Sequence, residues 1–349
     1  MRIAVLSHTV SGRGGIERVV EVQADGLRQR GHEVRVLSGV GLGRGRTARA
    51  LAAATAAFLP PKFLHRYDVL LAHYFPTPWV AARSGVPYVH YLHHPFRLVH
   101  PAQRDATALR NSSIRRALEP LKRADARGVC SARTVAVPSP SVADEARRVL
   151  DIEPVLLPLG VDTTLFRPNG LARDGLLFVG RLDAAYKHLD WAMEVARRLA
   201  RPLRVIGEGR RPAVPAGVDV SFSGYLTGGP LVDAYCSSQV LLFPSVQEDF
   251  GLVPLEAMAC GLPVLAWDDG HGPSLTMSDG SAGVLVEPYD LEAMTWAAES
   301  LLADQARAAK LSVHGPGWVT DRFSLSVHVS ALEDLLVSCA SSEPASGRG

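Results

Sequence analysis

Residues 240–266 of the chain are VLLFPSVQEDFGLVPLEAMACGLPVLA. The run Val240–Phe243 is continuously apolar, as in a strand that is buried on both faces. A loop then leads to Pro254, which suits the first turn of a helix because proline lacks the N–H that would be unpaired there. Gly261 ends that helix, and Val264–Ala266 forms a second buried run. The stretch therefore predicts a strand–helix–strand unit of a parallel sheet.

The same alternation of apolar runs and amphipathic stretches extends through the chain in two successive sets. In the first set the predicted strands are Ile3–Leu6, Glu33–Leu37, Val69–Ala72, Tyr88–Tyr91, Thr134–Val137 and Val155–Leu157, with helices at Ile16–Arg30 and Val142–Leu150. In the second set the strands are Leu176–Val179, Leu203–Ile206, Val218–Phe222, Val240–Phe243, Val264–Ala266 and Ala282–Leu285, with helices at Leu189–Ala200, Leu231–Ser237, Pro254–Ala259 and Leu291–Leu302. The sequence therefore predicts an α/β protein of two doubly wound domains facing a central cleft, in which ligands meet the carboxyl ends of the strands.

Length and composition agree with two globular domains. The chain has 349 residues, of which 47% are hydrophobic and 21% charged, and its formal net charge is +2. That charge gives no argument for nucleic acid, and we expect no nucleic-acid partner. The four cysteines, Cys130, Cys236, Cys260 and Cys339, are widely spaced, which argues against a zinc site or a disulfide framework and fits a reducing cytoplasm.

Features that bear on localisation favour a soluble cytoplasmic protein. The chain opens directly into a strand, without a signal peptide, and the apolar stretch Ala50–Leu59 is shorter than the ~20 residues that span a bilayer. Basic residues outnumber acidic ones between Arg104 and Arg133. This basic stretch is interpreted either as a solvated helical face or as a patch for an anionic acceptor or for the inner face of a membrane.

A nicotinamide-dependent enzyme is the obvious competitor, because a doubly wound fold alone does not name a function. Its glycine fingerprint, G-x-G-x-x-G after the first strand, is absent from residues 7–17, SHTVSGRGGIE. Gly207-Glu208-Gly209 is followed by Pro212 where the third glycine would stand. The sequence therefore disfavours a dehydrogenase.

Two carboxylates accompany the predicted helix start after the strand Val240–Phe243. Glu248 lies on the strand-to-helix loop, Glu256 lies in the first helical turn, and Gly251 allows the backbone to approach a ligand closely. Amides at a helix start favour an anion such as a diphosphate, and the carboxylates are suited to accept hydrogen bonds from the hydroxyls of a ribose and a sugar. The alternative is that Glu256 only complements the helix dipole and that Glu248 is solvated.

The stretch 244–261 also resembles the Glu–seven residues–Glu motif of glycosyltransferase family 4, a family of retaining enzymes with the two-domain GT-B fold. Further stretches resemble the same family in the same order: Gly14-Gly15-Ile16-Glu17-Arg18, Gly160-Val161-Asp162-Thr163, Phe166-Arg167-Pro168, Gly180-Arg181-Leu182 with Lys187, Gly207-Glu208-Gly209, Phe222-Ser223-Gly224-Tyr225, Trp318 and Arg322-Phe323-Ser324. The resemblance covers nearly the whole chain. It implies two Rossmann-like domains, residues 1–160 for the acceptor and 161–321 for the nucleotide-sugar, then a helix at 322–340 that crosses back to the first domain. A Ser- and Gly-rich tail at 341–349 is predicted to be disordered.

The resemblance also implies the site residues. The donor-binding set is Gly14, Gly15, Gly180, Gly207, Tyr225, Leu226, Phe250, Gly251, Leu252 and Glu256, and the catalytic set is His93, Arg181, Lys187 and Glu248. Arg181 and Lys187 are implied to neutralise the leaving diphosphate in place of a metal. Glu256 is implied to hold the ribose diol and Glu248 the transferred sugar, with the amides of residues 250–252. Tyr225 and Leu226 are expected beside the base. We expect no metal or other cofactor, and the sequence contains no Asp-x-Asp motif.

Three histidines, His90, His93 and His94, end or follow the strand Tyr88–Tyr91. A metal site is disfavoured because strand alternation puts His90 and His93 on opposite faces and because no H-E-x-x-H helix is present. The stretch resembles the Tyr-x-His-[Ser/Thr]-Pro-x-Arg segment of a mannosyltransferase-like branch of the family. The resemblance implies that His93 points at the sugar and the acceptor, with His94 standing where Ser or Thr is usual.

One departure from the family pattern lies in the loop after Gly272-Pro273. The family usually has a glutamate two residues further on, where this chain has Leu275. The departure is compatible with an unusual substrate.

The residues and the resemblance together predict a retaining, metal-independent glycosyltransferase that moves a hexose-type sugar from GDP-mannose or a UDP-sugar to a hydroxyl-type acceptor. A lipid, a growing polysaccharide and a small metabolite all stay open as acceptors. One alternative is a nucleotide-sugar epimerase of similar fold, which needs no acceptor. The other is a non-catalytic nucleotide-sugar-binding partner; the intact set of motif residues argues against it, whereas Leu275 keeps it open.

Overall fold

The computed structural model describes residues 1–7, 15–38, 62–100, 112–278, 280 and 282–341. The chain divides into two compact units. The first unit comprises Met1–Pro158 and His328–Gly349, and the second comprises Leu159–Val327. Several predicted features fall outside the described residues: Gly14, the stretch Ala50–Leu59, Arg104 with the first part of the basic stretch, and the tail after Ser341.

The first unit contains a parallel sheet. Over the described residues its strands are β1 (Arg2–Ser7), β2 (Glu33–Ser38), β3 (Val69–Ala72), β4 (Tyr88–Tyr91), β5 (Thr134–Val137) and β6 (Val155–Leu156). Their order across the sheet is β2-β1-β3-β4-β5-β6, and each pair of neighbours is parallel. Each strand predicted for the first half is confirmed to within one residue at either end. β3 and β4 are buried along their whole length, as expected for a sheet covered on both faces.

The helices between these strands are α1 (Gly15–Gln29), α2 (Thr77–Ser84), α3 (Ser112–Cys130) and α4 (Pro140–Leu150). α4 begins two residues before the predicted Val142, because Ser139 caps it and Pro140 occupies its first turn. The apolar side of α4 packs with β5 and with Leu92, which directly follows β4, in one core cluster.

The second unit contains a second parallel sheet. Its strands in the described part of the chain are β7 (Leu176–Val179), β8 (Leu203–Ile206), β9 (Val220–Gly224), β10 (Val240–Phe243), β11 (Val264–Trp267) and β12 (Val284–Val286). They lie in the order β12-β11-β10-β7-β8-β9. β9 and β12 each begin two residues later than predicted, because pairing with β8 and β11 sets their bounds.

The helices of the second unit are α5 (Leu189–Leu199), α6 (Gly229–Cys236), α7 (Leu252–Ala259), α8 (Gly272–Thr276), α9 (Leu291–Ala303) and α10 (Gln305–Phe323). Side chains of α5 and α9 pack on the sheet around Phe178, Leu242 and Trp267. This core holds the ends of β7 and β10 in place.

α7 begins before the predicted Pro254. Gly251, with a left-handed φ of 89°, precedes the helix, so Leu252 is its first residue and Pro254 its third. Proline is tolerated there because the amide of a third helical residue has no partner within the helix. The prediction that Glu256 lies in the first turn is therefore wrong: Glu256 is the fifth residue and lies in the second turn.

The last helix, α11 (Leu325–Ser341), follows extended backbone at Ser324 and starts three residues after the predicted position 322. Its residues from His328 onward belong to the first unit. Glu333 pairs there with Arg30 and His32, and Arg133 donates a hydrogen bond to the carbonyl of Cys339 at 2.6 Å.

None of the helices in the described ranges combines the length and the apolar character that a bilayer span requires.

Candidate active site

The strand order of the second sheet singles out one place for a ligand. β7 lies where the order reverses, because β8 and β9 extend from one side of it and β10 to β12 from the other. At such a point a crevice forms outside the carboxyl ends of the strands, where neighbouring loops leave in opposite directions. The loops that follow Val179 and Phe243 carry the predicted residues Lys187 and Glu248.

Lys187 and Glu248 form an ion pair at this place. Lys187 ends a short 3-10 turn, Ala185–Lys187, and its Nζ lies 2.5 Å from Oε2 of Glu248. Only 11% and 18% of the two side chains are exposed. The ammonium also lies 5.0 Å from the centre of the Phe243 ring. Because neither charge is fully hydrated, removal of one leaves the other poorly compensated.

Glycines bring the ends of β7, β8 and β9 together. Gly180 donates its amide to the carbonyl of the last residue of β8 at 3.0 Å, and Gly207 donates to the carbonyl of Gly224 at 2.9 Å. A Cβ on Gly207 would stand 1.8 Å from the carbonyl oxygen of Gly180, so a larger residue does not fit. Tyr225 follows Gly224 with an exposed side chain, and Leu226 is half-buried. These predicted donor residues therefore share one edge of the sheet.

Arg181 differs from Lys187 in its surroundings. Its guanidinium pairs with Asp183 at 3.3 Å, and 72% of the side chain is exposed. Arg181 therefore lies at the solvent edge of the loop after β7, outside the buried ion pair. An exposed pair of this kind contributes little to stability, so Arg181 is easily released toward another anion.

The start of α7 presents backbone donors three residues after Glu248. Gly251, which precedes the helix, is buried and as a glycine has no side chain to cap the amides of the first turn. The backbone of Phe250 is packed so closely that a Cβ on Gly272 would stand 2.1 Å from its carbonyl oxygen. Helix-start amides favour an anion. The predicted stretch 250–252 therefore forms a rigid group of donors.

Glu256 is buried and held by a tyrosine from the neighbouring helix. Only 4% of the residue is exposed, and Oε2 accepts a hydrogen bond from the hydroxyl of Tyr235 at 3.0 Å. Tyr235 lies in α6 and is itself completely buried. Sequence reasoning missed this residue, because a tyrosine on a helix carries no local sign that its hydroxyl meets a motif carboxylate.

Asp269 stabilises the loop that carries Glu248 through hydrogen bonds. Its carboxylate accepts hydrogen bonds from the amides of Gln247 at 2.7 Å and His271 at 3.1 Å. Burial alone would raise the pKa of Asp269, but the His271 ring and these amides outweigh burial and lower it. The amide of Gly272 then donates to the carbonyl of Glu248 at 2.8 Å. Sequence reasoning also missed Asp269, although this residue lies just after the carboxyl end of β11, and ligands of parallel sheets bind at the carboxyl ends of the strands.

Leu275, the residue that departs from the family pattern, lies in α8, three residues after Gly272. It is half-buried, and its amide donates to the carbonyl of His271 at 3.3 Å. An apolar side chain, that of Leu275, therefore stands where the family usually has a glutamate, close to the loop that carries Glu248.

In the first unit, the predicted residue His93 lies in a group of buried histidines. Its Nε2 lies 3.1 Å from Nδ1 of His73, a residue that sequence reasoning missed and that directly follows β3. Both residues are less than 10% exposed. Burial lowers the pKa of His73 to about 3 and holds the pKa of His93 well below its usual value. Both rings are therefore neutral at physiological pH.

Strand alternation does not determine the side on which His93 lies, because β4 ends at Tyr91. His90 is on the strand and bonds the carbonyl of Ala72 through Nδ1 at 2.9 Å. Within the described ranges, no group of three His, Cys, Asp or Glu side chains is arranged to hold a metal.

Of the predicted glycine loop, Gly15 is the first residue of α1, and Gly14 is outside the described residues.

Two family models match the chain. The one described as "Glycosyltransferase Family 4" matches residues 13–165, and the one described as "Glycosyl transferases group 1" matches residues 173–304. The two models together cover most of both units.

The chain is also similar to curated glycosyltransferases. D-inositol 3-phosphate glycosyltransferase of Geodermatophilus obscurus is 31% identical over 301 residues, which are 72% of this chain and 63% of that protein. A GDP-mannose-dependent alpha-(1-6)-phosphatidylinositol monomannoside mannosyltransferase of Mycolicibacterium smegmatis is 42% identical over 89 residues, 26% of this chain and 23% of that one. The chain thus spans about 63% of the length of the first of these relatives.

A solved structure shows the fold. Sucrose-phosphate synthase from Thermosynechococcus elongatus matches with a TM-score of 0.79 over 97% of this chain and 98% of that one, at 21% identity. The predicted α/β class of the GT-B kind is confirmed by this match and by the two parallel sheets. The two family models and the curated relatives show that the chain belongs to glycosyltransferase family 4.

Proposed function

We propose that the protein is a retaining, metal-independent glycosyltransferase that moves a hexose-type sugar from GDP-mannose or a UDP-sugar to a hydroxyl-type acceptor. The observation that carries the proposal is the ion pair of Lys187 and Glu248 at the reversal point of the second sheet. A cation, a group of backbone amides and two carboxylates occur together there, which is what the diphosphate, sugar and ribose of such a donor need.

The diphosphate is assigned to Lys187, Arg181 and the amides of residues 250–252. As the bond from the sugar to the phosphate oxygen breaks, negative charge grows on that oxygen, and fixed donors stabilise the charge without a metal ion. Arg181 joins them by exchanging Asp183 for the diphosphate, since its present partner is weakly held.

The sugar is assigned to Glu248, because its carboxylate already touches the Lys187 ammonium. Lysine on the phosphate and glutamate on the sugar then lie on the two sides of the bond that breaks. The acceptor oxygen bonds to the anomeric carbon on the face that the diphosphate leaves, which retains the configuration. The acceptor's proton passes to an oxygen of the departing diphosphate, and His93 contacts the substrates.

The choice of base is tested first with guanosine and uridine diphosphates, since the M. smegmatis relative is named for GDP-mannose. In a thermal-shift assay with EDTA, we expect one of the two to raise Tm selectively. A ligand at 100 times its Kd stabilises the native state by roughly 2.7 kcal/mol, which is several degrees in Tm. Adenosine diphosphate at the same concentration is the control for non-specific anion binding.

The outcomes separate the alternatives. If no nucleotide shifts Tm, the donor site does not exist and the proposal is wrong. If a shift requires added metal, the metal-independent part is wrong. A nucleotide that binds without any sugar transfer in an acceptor screen favours a binding partner, and release of free nucleoside diphosphate with an epimerised sugar favours the epimerase.

The role of Glu256 is tested through Tyr235→Phe. The change removes the hydroxyl that holds the Glu256 carboxylate, so the expected result is about tenfold weaker nucleoside diphosphate binding, the value of one hydrogen bond to a charged group. Isothermal titration calorimetry measures Kd directly.

The matched control is Tyr67→Phe, because the buried hydroxyl of Tyr67 has no partner among the described residues. It is expected to leave Kd unchanged. Equal Kd values for Tyr235→Phe and the unchanged protein would show that Tyr235 does not support the ribose site.

A further inference from the structure

Four buried histidines of the first unit share one region: His73, His90, His93 and His328. Burial lowers the pKa of each ring, to about 3 for His73 and about 4 for His328. Each ring is therefore neutral and carries a single proton on one of its two nitrogens. Which nitrogen carries that proton decides whether a ring donates or accepts a hydrogen bond.

Carbonyl partners settle the question for two of the rings. Nδ1 of His90 lies 2.9 Å from the carbonyl oxygen of Ala72, and Nδ1 of His328 lies 2.6 Å from that of Pro158. A carbonyl only accepts, so both rings carry the proton on Nδ1. Nε2 of His328 then accepts from the side-chain amide of Gln23 at 2.9 Å, which completes a consistent network.

The pair of His73 and His93 allows two arrangements by distance alone. Nδ1 of His73 and Nε2 of His93 are 3.1 Å apart, and either nitrogen can be the donor. The other nitrogen of His73, Nε2, is buried and has no partner among the described residues. If His73 accepted from His93, its own proton would sit on that Nε2 as a buried, unpaired N–H, a kind of group that native proteins almost never contain.

We infer that His73 donates from Nδ1 to Nε2 of His93, which fixes the single proton of His93 on Nδ1. His73 is thus a positioning residue, and the nitrogen that His93 has available for a substrate is a hydrogen-bond donor, not a base. The inference rests on the proposed function in that His93 contacts the substrates. It also matches the assignment of the acceptor's proton to the departing diphosphate. With its proton on Nδ1, His93 has no lone pair on the nitrogen that is available to a substrate and cannot accept that proton.

The direct test is a long-range nitrogen–proton NMR spectrum of the full chain with ¹⁵N-labelled histidine rings. Protonated and unprotonated ring nitrogens have widely separated shifts, and His93→Asn identifies the His93 signals. The expected result is that Nδ1 of His93 is protonated and Nε2 is not. A proton on Nε2 of His93 overturns the inference, and this measurement needs no variant of His73 and no enzymatic activity.

Two variants test the role of His73. His73→Leu removes the donor, so the His93 signals are expected to show a mixture of both tautomers, and turnover is expected to fall about tenfold, the effect of one hydrogen bond. His73→Asn offers an amide N–H from a similar position and is expected to restore the Nδ1-protonated form. If the role of His73 is purely structural, both variants have a lower Tm and the tautomer of His93 is unchanged. That result contradicts the inference.

Failure of this inference differs from failure of the proposed function. If nucleotides bind and sugar is transferred while His93 carries its proton on Nε2, only the role of His73 is wrong. If the tautomer is as expected and no nucleotide binds, only the glycosyltransferase proposal is wrong.

Discussion

Replacing Lys187 with alanine is expected to lower turnover by about 10²–10³-fold, the typical cost of removing one preorganised donor to a developing negative charge. Lys187 is the buried cation of the site, and its ammonium reaches Glu248 directly. The effect should appear mainly in kcat, because charge on the leaving oxygen grows as the bond breaks. Steady-state kinetics with the donor identified by thermal shift measures it.

Two controls accompany that experiment. Lys310→Ala removes an exposed lysine of α10 and is expected to leave kcat unchanged. The loss of Lys187 also leaves Glu248 without its cation, so the Tm of the variant is recorded to confirm that the protein is folded under assay conditions. A folded Lys187→Ala variant with nearly normal kcat would show that the leaving diphosphate is stabilised elsewhere.

The second large effect is expected on stability, from Gly207→Ala. The added methyl group would stand 1.8 Å from the carbonyl oxygen of Gly180, and backbone atoms cannot turn aside as a flexible side chain can. The φ of Gly207, +153°, is also one that other residues rarely adopt. We expect a loss of about 3–5 kcal/mol in the free energy of unfolding, because the ends of β7 and β8 must separate.

Denaturant unfolding followed by tryptophan fluorescence measures that loss. Gly229→Ala is the matched control, since a Cβ there meets no atom within 4 Å and Gly229 lies in the first turn of α6. Its free energy of unfolding is expected to be unchanged or slightly higher. Wild-type stability in Gly207→Ala would mean that the glycine loops are not in close contact. Because the same contact shapes the edge that carries the donor residues, any folded fraction of Gly207→Ala should also bind nucleotide poorly.

The two sheets could be predicted from local patterns. Strands buried on both faces appear as short apolar runs, and their bounds in the sequence agree closely with β3, β4, β7 and β10. The predicted start of α7 is misplaced because the helix begins at Leu252, directly after the left-handed Gly251, whereas the sequence predicts Pro254 as the first residue. Both residues are compatible with a helix start, and the packing of Phe250 against Gly272 favours the earlier one.

The sequence by itself determined the α/β class, the two sets of strands and the motif residues, because each depends on residues that are close together in the chain. Only the tertiary structure decided which of them meet. Lys187 and Glu248 are 61 residues apart, yet the order of β7 and β10 makes them neighbours. Tyr235 reaches Glu256 from another helix, and His73, which follows β3, reaches His93, which follows the neighbouring strand β4. These contacts depend on how strands and helices pack, and a hydrogen bond between distant residues leaves no periodic signal in the sequence.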